Sequence, residues 1–155
     1  MPLKRLFHIA INSTDLDRSL EFYRRLGFQA LSDRTVNNPN VTRAFGVKSH
    51  DLRFVHLRLG DSEEATLLDI VQWFNPDTQP APPVASQMQR GLTRFAVLTD
   101  NTDEVYRQLK AAGETLLTEP TTVMTPQGGW RICLAQDPDG VVVQVTQLMP
   151  AESGA

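Results

Sequence analysis

Two stretches of the chain repeat one pattern of apolar and polar positions: a short apolar strand, a polar turn, then an amphipathic helix that ends at glycine. The stretches 8–27 and 94–113 align from end to end without a gap. Gly27 and Gly113 take the same place in the two copies, where a residue in the left-handed conformation ends a helix. The first helix keeps an apolar face at Leu16, Leu20, Tyr23 and Leu26, and the second at Val105, Leu109 and Ala112. The repeat predicts the same strand–helix unit twice.

The polar residues before each helix predict where it starts. Thr14 is followed three residues later by Asp17, which resembles a capping box, so we expect Thr14 to cap the first helix. Asp100 or Thr102 is expected to cap the second helix.

Three β-rich runs follow each helix, so each half of the chain is predicted to be one βαβββ module. The runs cover 28–35, 51–59 and 65–73 in the first half, and 120–125, 130–136 and 141–148 in the second. We therefore expect one structural domain made of a first module at 1–73, a Pro-rich linker at 74–90, a second module at 91–149 and a tail at 150–155. The segment 36–50 has no counterpart in the second half, and we expect one helical turn at 42–45.

Composition excludes several classes of partner. The chain has 155 residues, of which 41% are hydrophobic and 21% charged, as in a globular domain. The net charge of −3, without a basic stripe, argues against binding to nucleic acid or to an anionic membrane. No apolar run is long enough for a transmembrane helix or a signal peptide, so we expect a cytoplasmic protein. Cys133 is the single cysteine, which excludes a disulfide framework and predicts a small core residue.

Three features carry a resemblance to a known family: His8 at the opening of the first strand, the segment Leu-Asp-Arg-Ser-Leu-Glu-Phe-Tyr-Arg-Arg-Leu-Gly at 16–27, and Asp-Pro-Asp-Gly at 137–140 before the last strand. With them the chain resembles the vicinal oxygen chelate superfamily, which includes glyoxalase I, bleomycin-resistance proteins and extradiol dioxygenases. The resemblance spans residues 5–148. It implies an α+β fold in which the two βαβββ modules form a cup-shaped, mostly antiparallel sheet.

The resemblance also implies four site positions, His8, Asp69, Arg94 and Gln144, at which metal-dependent members hold a divalent ion. A guanidinium has no lone pair to offer and its charge repels a cation, so Arg94 cannot be a ligand. The amide oxygen of Gln144 can ligate a metal but adds no negative charge. We therefore predict no cofactor; if a metal does bind, its ligands would be His8, Asp69 and Gln144.

His8, Asp69 and Arg94 are the candidate catalytic residues. An ionised Asp69 inside its apolar run needs a partner if it is buried, and we expect Arg94 to pair with it. The alternative is that strand alternation points Asp69 to solvent. His8 is either a ligand or proton carrier, or a buried strand histidine. Gln144, His56, Trp73 and Trp130 are the candidate ligand-binding residues.

The resemblance leaves different classes of function open. The first is metal-independent proton transfer beside a carbonyl of a small oxygen-rich molecule, of the isomerase, epimerase, cyclase or lyase type, with Arg94 holding the developing negative charge. The alternative is a small-molecule binding and resistance protein without turnover, in which Trp73 and Trp130 enclose the ligand. A second alternative is a metal-dependent glyoxalase or dioxygenase. We expect a homodimer, because exposed sheet edges tend to pair.

Replacing Arg94 tests whether the four positions converge. Arg94→His places an imidazole where the resemblance implies a ligand, so we expect a higher affinity for divalent metal, measured by calorimetric titration with Ni²⁺. Unchanged affinity in this variant would contradict the assignment of the four positions to one site.

Overall fold

The structure, a computed structural model, describes residues 2–151, so residues 152–155 of the predicted tail lie outside the described residues. The described chain divides into two compact units, and the boundary falls between Ala81 and Pro82. The first unit contains β1 (His8–Asn12), α1 (Leu16–Arg25), β2 (Phe28–Asn37), α2 (Asn40–Phe45), β3 (Asp51–Leu59) and β4 (Leu67–Phe74). The second contains β5 (Phe95–Leu98), α3 (Thr102–Ala111), β6 (Thr115–Leu116), β7 (Thr121–Thr125), β8 (Gly128–Gln136) and β9 (Val142–Met149).

The first unit is a four-stranded mixed sheet in the order β1-β4-β3-β2. Strand β1 pairs in parallel with β4, and the other neighbours are antiparallel. A parallel pair needs a crossover between its strands, and α1 belongs to that crossover and packs against β4 and β2. The buried apolar residues of the strands on one face are Ile11, Val55, Leu57, Leu68 and Ile70, and those of the helix are Leu16, Leu20, Phe22 and Tyr23.

The second unit repeats this topology in a sheet of order β5-β9-β8-β6, with β7 also paired to β8. Strand β5 is parallel to β9, as β1 is to β4. The short β6, which the sequence did not predict, and β7 together take the place of β2. Cys133 is fully buried opposite Val145 of β9, as expected of a small core residue. Burial raises the pKa of its thiol to about 11. The α+β class and the two βαβββ modules are confirmed.

Both helices start one residue away from where the sequence placed their caps. Asp15, not Thr14, caps α1, and its carboxylate accepts from the backbone N–H of Arg18 at 3.1 Å. Asn101, which lies between the two expected candidates, caps α3 and accepts from Glu104 N–H at 3.0 Å. Gly27 and Gly113, at φ +90 and +76, end the helices as predicted.

Both modules tie the start of the helix to the last strand through a glutamine. The side-chain oxygen of Gln72 accepts from Leu16 N–H at 3.0 Å, and that of Gln147 accepts from Thr102 N–H at 3.2 Å. These bonds satisfy backbone N–H groups that a helix leaves without an intrahelical partner.

In each module an ion pair joins the first turn of the crossover helix to the strand that is third in sheet order, β3 or β8. Arg53 lies 2.9 Å from Asp17, and Arg131 lies 2.6 Å from Asp103. Hydrogen bonding to Arg131 holds the pKa of Asp103 below its ordinary value. The repeat is therefore present in the side-chain contacts of the helix–sheet junction as well as in the topology.

The two irregular segments differ from each other. In the first unit, α2 adds one short helix where a helical turn was expected. Residues 75–94 contain no strand or helix, and the boundary between the units falls within them. Among the described residues, no helix is both long and apolar enough to cross a membrane. The homodimer stays a prediction.

The observed caps give a stability prediction. Asp15→Ala and Asn101→Ala should each lower the free energy of unfolding by about 1 kcal/mol, because each leaves a helix N–H without its side-chain acceptor. Urea denaturation measures the change. Asp61→Ala, at an exposed position after β3, is the matched control and should stay close to the parent. Equal losses in all three variants would contradict the capping role.

Candidate functional site

The candidate site lies on the face of the first sheet opposite α1. Along β4, Leu68 and Ile70 belong to the helix side, so alternation puts Asp69 on the other face. Asp69 is directly opposite His56 on β3 and Ala10 on β1. His8, two residues before Ala10, is therefore the diagonal neighbour of Asp69 on the same face. The parallel and antiparallel registers of β4 together bring the three polar side chains to one place.

The three side chains form a compact cluster, which we call the His-His-Asp cluster: His8, His56 and Asp69. The Nε2 atom of His8 lies 4.0 Å from Oδ2 of Asp69, and Nε2 of His56 lies 3.7 Å from Oδ1. One donor atom from each residue lies within 4.8 Å of the other two. The imidazole centroids are 5.9 Å apart. All three side chains can thus contact one small group at the same time.

Asp69 points away from the helix but is not solvated. Its side chain is 13% exposed, and burial raises the pKa of its carboxyl, although the nearby His56 and His8 act in the opposite direction. The Oδ1 atom of Asp69 and the Nδ1 atom of His8 are buried without a hydrogen-bond partner among the described residues. Buried polar atoms are usually paired, so the unpaired Oδ1 of Asp69, beside Nε2 of His56, marks a place where a further group fits.

Aromatic rings surround the cluster. The ring of Phe7 lies 5.1 Å from that of His8 and 6.1 Å from that of His56, and the ring of Phe54 lies 5.3 Å from His56. These rings pack against the two imidazoles and give the cluster an apolar border, and Phe7 itself is half exposed. Phe7 and Phe54 carry no polar group and were not among the site residues predicted from the sequence.

Two hydrogen-bond contacts orient side chains on this face. The hydroxyl of Ser32 lies 3.5 Å from Nδ1 of His56, on the side of the ring away from Asp69. Trp73 donates from its indole N–H to the side-chain oxygen of Asn12 at 2.9 Å, and its ring packs edge-on against Phe45. Trp73 is four residues from Asp69 along β4 and therefore lies on the same face.

The corresponding positions of the second module carry different residues. Ala96 is opposite Gln144, which is opposite Leu134, as Ala10 is opposite Asp69 and Asp69 opposite His56. Arg94, Leu134 and Gln144 are thus the counterparts of His8, His56 and Asp69. Leu134 has no polar group.

Arg94 and Gln144 are bonded to each other. The Nε of Arg94 donates to the amide oxygen of Gln144 at 2.6 Å, and a second guanidinium nitrogen lies 3.3 Å from Gln87 Oε1. The amide nitrogen of Gln144 donates to Thr146 at 2.9 Å. Trp130, 42% exposed, belongs to the same face of its sheet as Gln144. The pairing of Arg94 with Asp69 stays a prediction.

Of the four positions that the resemblance implies, the two in the first module, His8 and Asp69, fit a metal ion, and the two in the second module, Arg94 and Gln144, do not. The amide oxygen of Gln144 is engaged by a guanidinium, and that guanidinium has no lone pair, so these two side chains do not fit a metal ion. In the first module, two imidazoles and a carboxylate converge, and two of their buried atoms have no hydrogen-bond partner among the described residues. That donor set suits a divalent transition metal.

Comparison with known proteins identifies the family. The sequence profile of the Glyoxalase/Bleomycin resistance protein/Dioxygenase superfamily matches residues 5–145. The chain belongs to this superfamily. The resemblance drawn from His8, the first helix and the last turn is confirmed.

Individual relatives are distant. Lactoylglutathione lyase of Arabidopsis thaliana is 24% identical over 148 residues, which cover 95% of this chain and 45% of that protein. The chain thus spans about half the length of this relative. A glyoxalase family protein from Bacillus cereus superposes with a TM-score of 0.83 at 17% identity, covering 96% of this chain and 97% of that one. A mutant of glyoxalase I from Zea mays gives a TM-score of 0.66 at 21% identity, over 96% of this chain and 45% of that chain. At these identities the superpositions support the fold.

The buried carboxylate gives a second stability prediction. Asp69→Asn should raise the free energy of unfolding at neutral pH by about 0.5–2 kcal/mol, the usual range for one stabilising substitution, because it removes a desolvated charge. The raised pKa means that the folded chain binds the proton more tightly than the unfolded chain does. The gain should therefore shrink as the pH falls toward about 4.

Urea denaturation with chelator present measures this gain at several pH values. Asp61→Asn, at an exposed position, is the control and should show no gain. A less stable Asp69→Asn variant would show that the carboxylate stabilises the fold, against this prediction.

Proposed function

We propose that the chain is a lyase- or isomerase-type enzyme that moves a proton beside a carbonyl group of a small oxygen-rich molecule bound at the His-His-Asp cluster. One observation carries the proposal. The two modules share the ion pair and the glutamine bond that hold the helix on the sheet, yet only the first has ionisable side chains at all three cluster positions. The relatives named lactoylglutathione lyase support the lyase type.

The cluster suits an oxygen that gains negative charge. When a proton leaves the carbon beside a carbonyl, the electron pair moves onto the carbonyl oxygen, and a site that holds this oxygen lowers the barrier. The Nε2 atoms of His8 and His56 lie 4.0 and 3.7 Å from oxygens of Asp69, so in this proposal the two imidazoles hold the substrate oxygen. An imidazole N–H donates to an oxyanion, and a divalent cation bound there would polarise the same oxygen as a Lewis acid.

The proton acceptor has to come from the cluster itself. The adjacent positions on this face offer no proton acceptor: Ala10, Phe54 and Val71 are apolar, and Arg58 carries a permanently protonated guanidinium that donates to the carbonyl of Gly60. The rings of Phe7 and Phe54 border the cluster, and the side chain of His8 is 35% exposed, so a substrate can reach the imidazole. We expect the flat surfaces of the two aromatic rings to hold a planar, conjugated part of the substrate.

The prediction of metal-independent chemistry came from Arg94 and Gln144. Both belong to the second module, where they are bonded to each other. That prediction concerns the four positions implied by the resemblance, and it does not bear on donors that the first module supplies alone. Without a metal, a free side chain of the cluster accepts the proton; with a metal held by all three side chains, one of them would have to leave the ion to do so.

Hydrogen–deuterium exchange tests the proposed function directly. The chain is incubated in D₂O with a panel of small hydroxy- and keto-carbonyl compounds, among them lactoylglutathione, and loss of the C–H signal is followed by proton NMR. We expect exchange with at least one compound, reduced about 100-fold or more in His56→Leu and in Asp69→Asn, because a positioned proton acceptor typically contributes 10²–10⁴-fold.

The control for this experiment is His50→Ala. His50 is exposed and lies outside the cluster, so its loss should leave the exchange rate unchanged. Saturable binding of a compound by the parent chain, without exchange of any compound in the panel, would contradict the enzyme proposal and favour a binding protein.

A further inference from the structure

We propose that the first module alone binds one divalent transition-metal ion through Nε2 of His8, Nε2 of His56 and the carboxylate of Asp69. These ligands come from three neighbouring strands of one sheet, and the site needs no residue of the second module. It therefore differs from the four positions implied by the family resemblance, because His56 is absent from that set and Arg94 and Gln144 are not used.

The chemistry of the donors favours a first-row transition metal over calcium or magnesium. Two imidazoles and one carboxylate are borderline ligands that suit Zn²⁺, Fe²⁺, Co²⁺ or Ni²⁺, whereas calcium and magnesium prefer oxygen ligands alone. Three protein ligands also leave coordination positions open for water or a substrate oxygen. A purely structural site would more often be closed by a fourth side chain.

The spacing of the donors is close to what a bound ion requires. Ligand atoms about 2.0–2.2 Å from a tetrahedral ion lie about 3.3–3.6 Å from one another. The two nitrogen–oxygen separations here are 3.7 and 4.0 Å. All three donor atoms lie within 4.8 Å of one another, so a bound ion would draw them together by up to about 1.5 Å.

Unpaired atoms provide an independent observation. Asp69 is buried, and its Oδ1 has no hydrogen-bond partner among the described residues. Within the first module, the groups at ion-pair distance from its oxygens are the two imidazoles. Among the described residues of the first module, no lysine or arginine is at ion-pair distance from this carboxylate. Burying a carboxylate without such a partner is costly, and a bound cation removes that cost.

The orientation of His56 fits ligation. The contact of its Nδ1 with the Ser32 hydroxyl leaves Nε2 directed at Asp69. Metal-binding histidines typically use their second nitrogen for an outer hydrogen bond of this kind, which fixes the ring and its tautomer. Ser32 is therefore the expected outer partner of the site.

Metal titration of the untagged, chelator-stripped chain tests the proposal. Calorimetry with Zn²⁺ should give one ion per chain, and Co²⁺ should give a visible absorption band that Zn²⁺ removes. His56→Leu should weaken Zn²⁺ affinity about 100-fold or more, since even the loss of an outer partner of a ligand costs 10–100-fold. Gln144→Ala should bind Zn²⁺ as the parent does.

Thermal unfolding of His56→Leu and Asp69→Asn separates loss of metal binding from loss of folding. Leu134 shows that the repeated strand accepts leucine at the position of His56, and Asp69→Asn removes the charge with little change of shape. Both cluster variants should lose the Zn²⁺-dependent rise in thermal midpoint that the parent and His50→Ala show, because binding to the folded chain stabilises it. A lower midpoint without metal would reveal a folding defect separately.

Several outcomes would overturn the proposal: no saturable Zn²⁺ binding by the parent, unchanged affinity in His56→Leu, or an equal loss in Gln144→Ala. The inference shares the cluster with the proposed function but does not rest on turnover. Metal binding without proton exchange would leave the site standing and remove the enzyme proposal. Proton exchange by a chain that binds no metal would do the reverse.

Discussion

The parallel pairing of the first and last strands in each module is the constraint on which the rest of the structure depends. Two parallel neighbours need a crossover, and the helix that provides it covers one face of the sheet. The opposite face of β4 is therefore free to carry polar side chains. Because β4 has a parallel neighbour on one side and an antiparallel neighbour on the other, residues distant in sequence, His8 and His56, meet at Asp69. The chemistry is a consequence of strand order.

The cluster is held in place at a cost in stability. Asp69 is flanked in sequence by fully or nearly fully buried apolar residues that complete the core on the helix side. That core does not need the carboxylate, since alternation sends Asp69 to the other face. Leaving a buried charge with an unpaired oxygen opposes folding, and natural chains tolerate such departures mainly where function requires them. The rest of the module, with its capped helix and its ion pair, supplies the stability that this requires.

Much of the fold could be predicted from local sequence, whereas the composition of the site could not. The repeat, the helix stops at glycine and most strands follow from apolar periodicity and from residues with special backbone freedom. The two-residue β6 carries too few residues to show a period. The caps at Asp15 and Asn101 were misplaced by one residue, because neighbouring polar residues offer equivalent side chains and only backbone geometry selects one.

His56 shows most clearly why the composition of the site could not be predicted from the sequence. Its position in an alternating strand assigns it to one of two faces, but its partner on β4 depends on the register of the antiparallel pair. A shift of one residue would move it to the helix side. The sequence therefore grouped His56 with the ligand-binding residues, and the register joins it to His8 and Asp69. The alternation of β3, combined with the register of the β3–β4 pair, would have placed His56 opposite Asp69.

The second module serves as an internal comparison for the first. It keeps the crossover helix, the glutamine that satisfies the start of the helix and the arginine–aspartate pair. It replaces the cluster with Arg94, Leu134 and Gln144, and it folds with the same topology. The fold itself therefore does not require two imidazoles and a carboxylate at these positions. What distinguishes the first module is a set of ionisable side chains in which two buried atoms, Nδ1 of His8 and Oδ1 of Asp69, have no hydrogen-bond partner among the described residues. Buried polar atoms are usually paired, so this set is better explained by the binding of a further group than by the stability of its sheet.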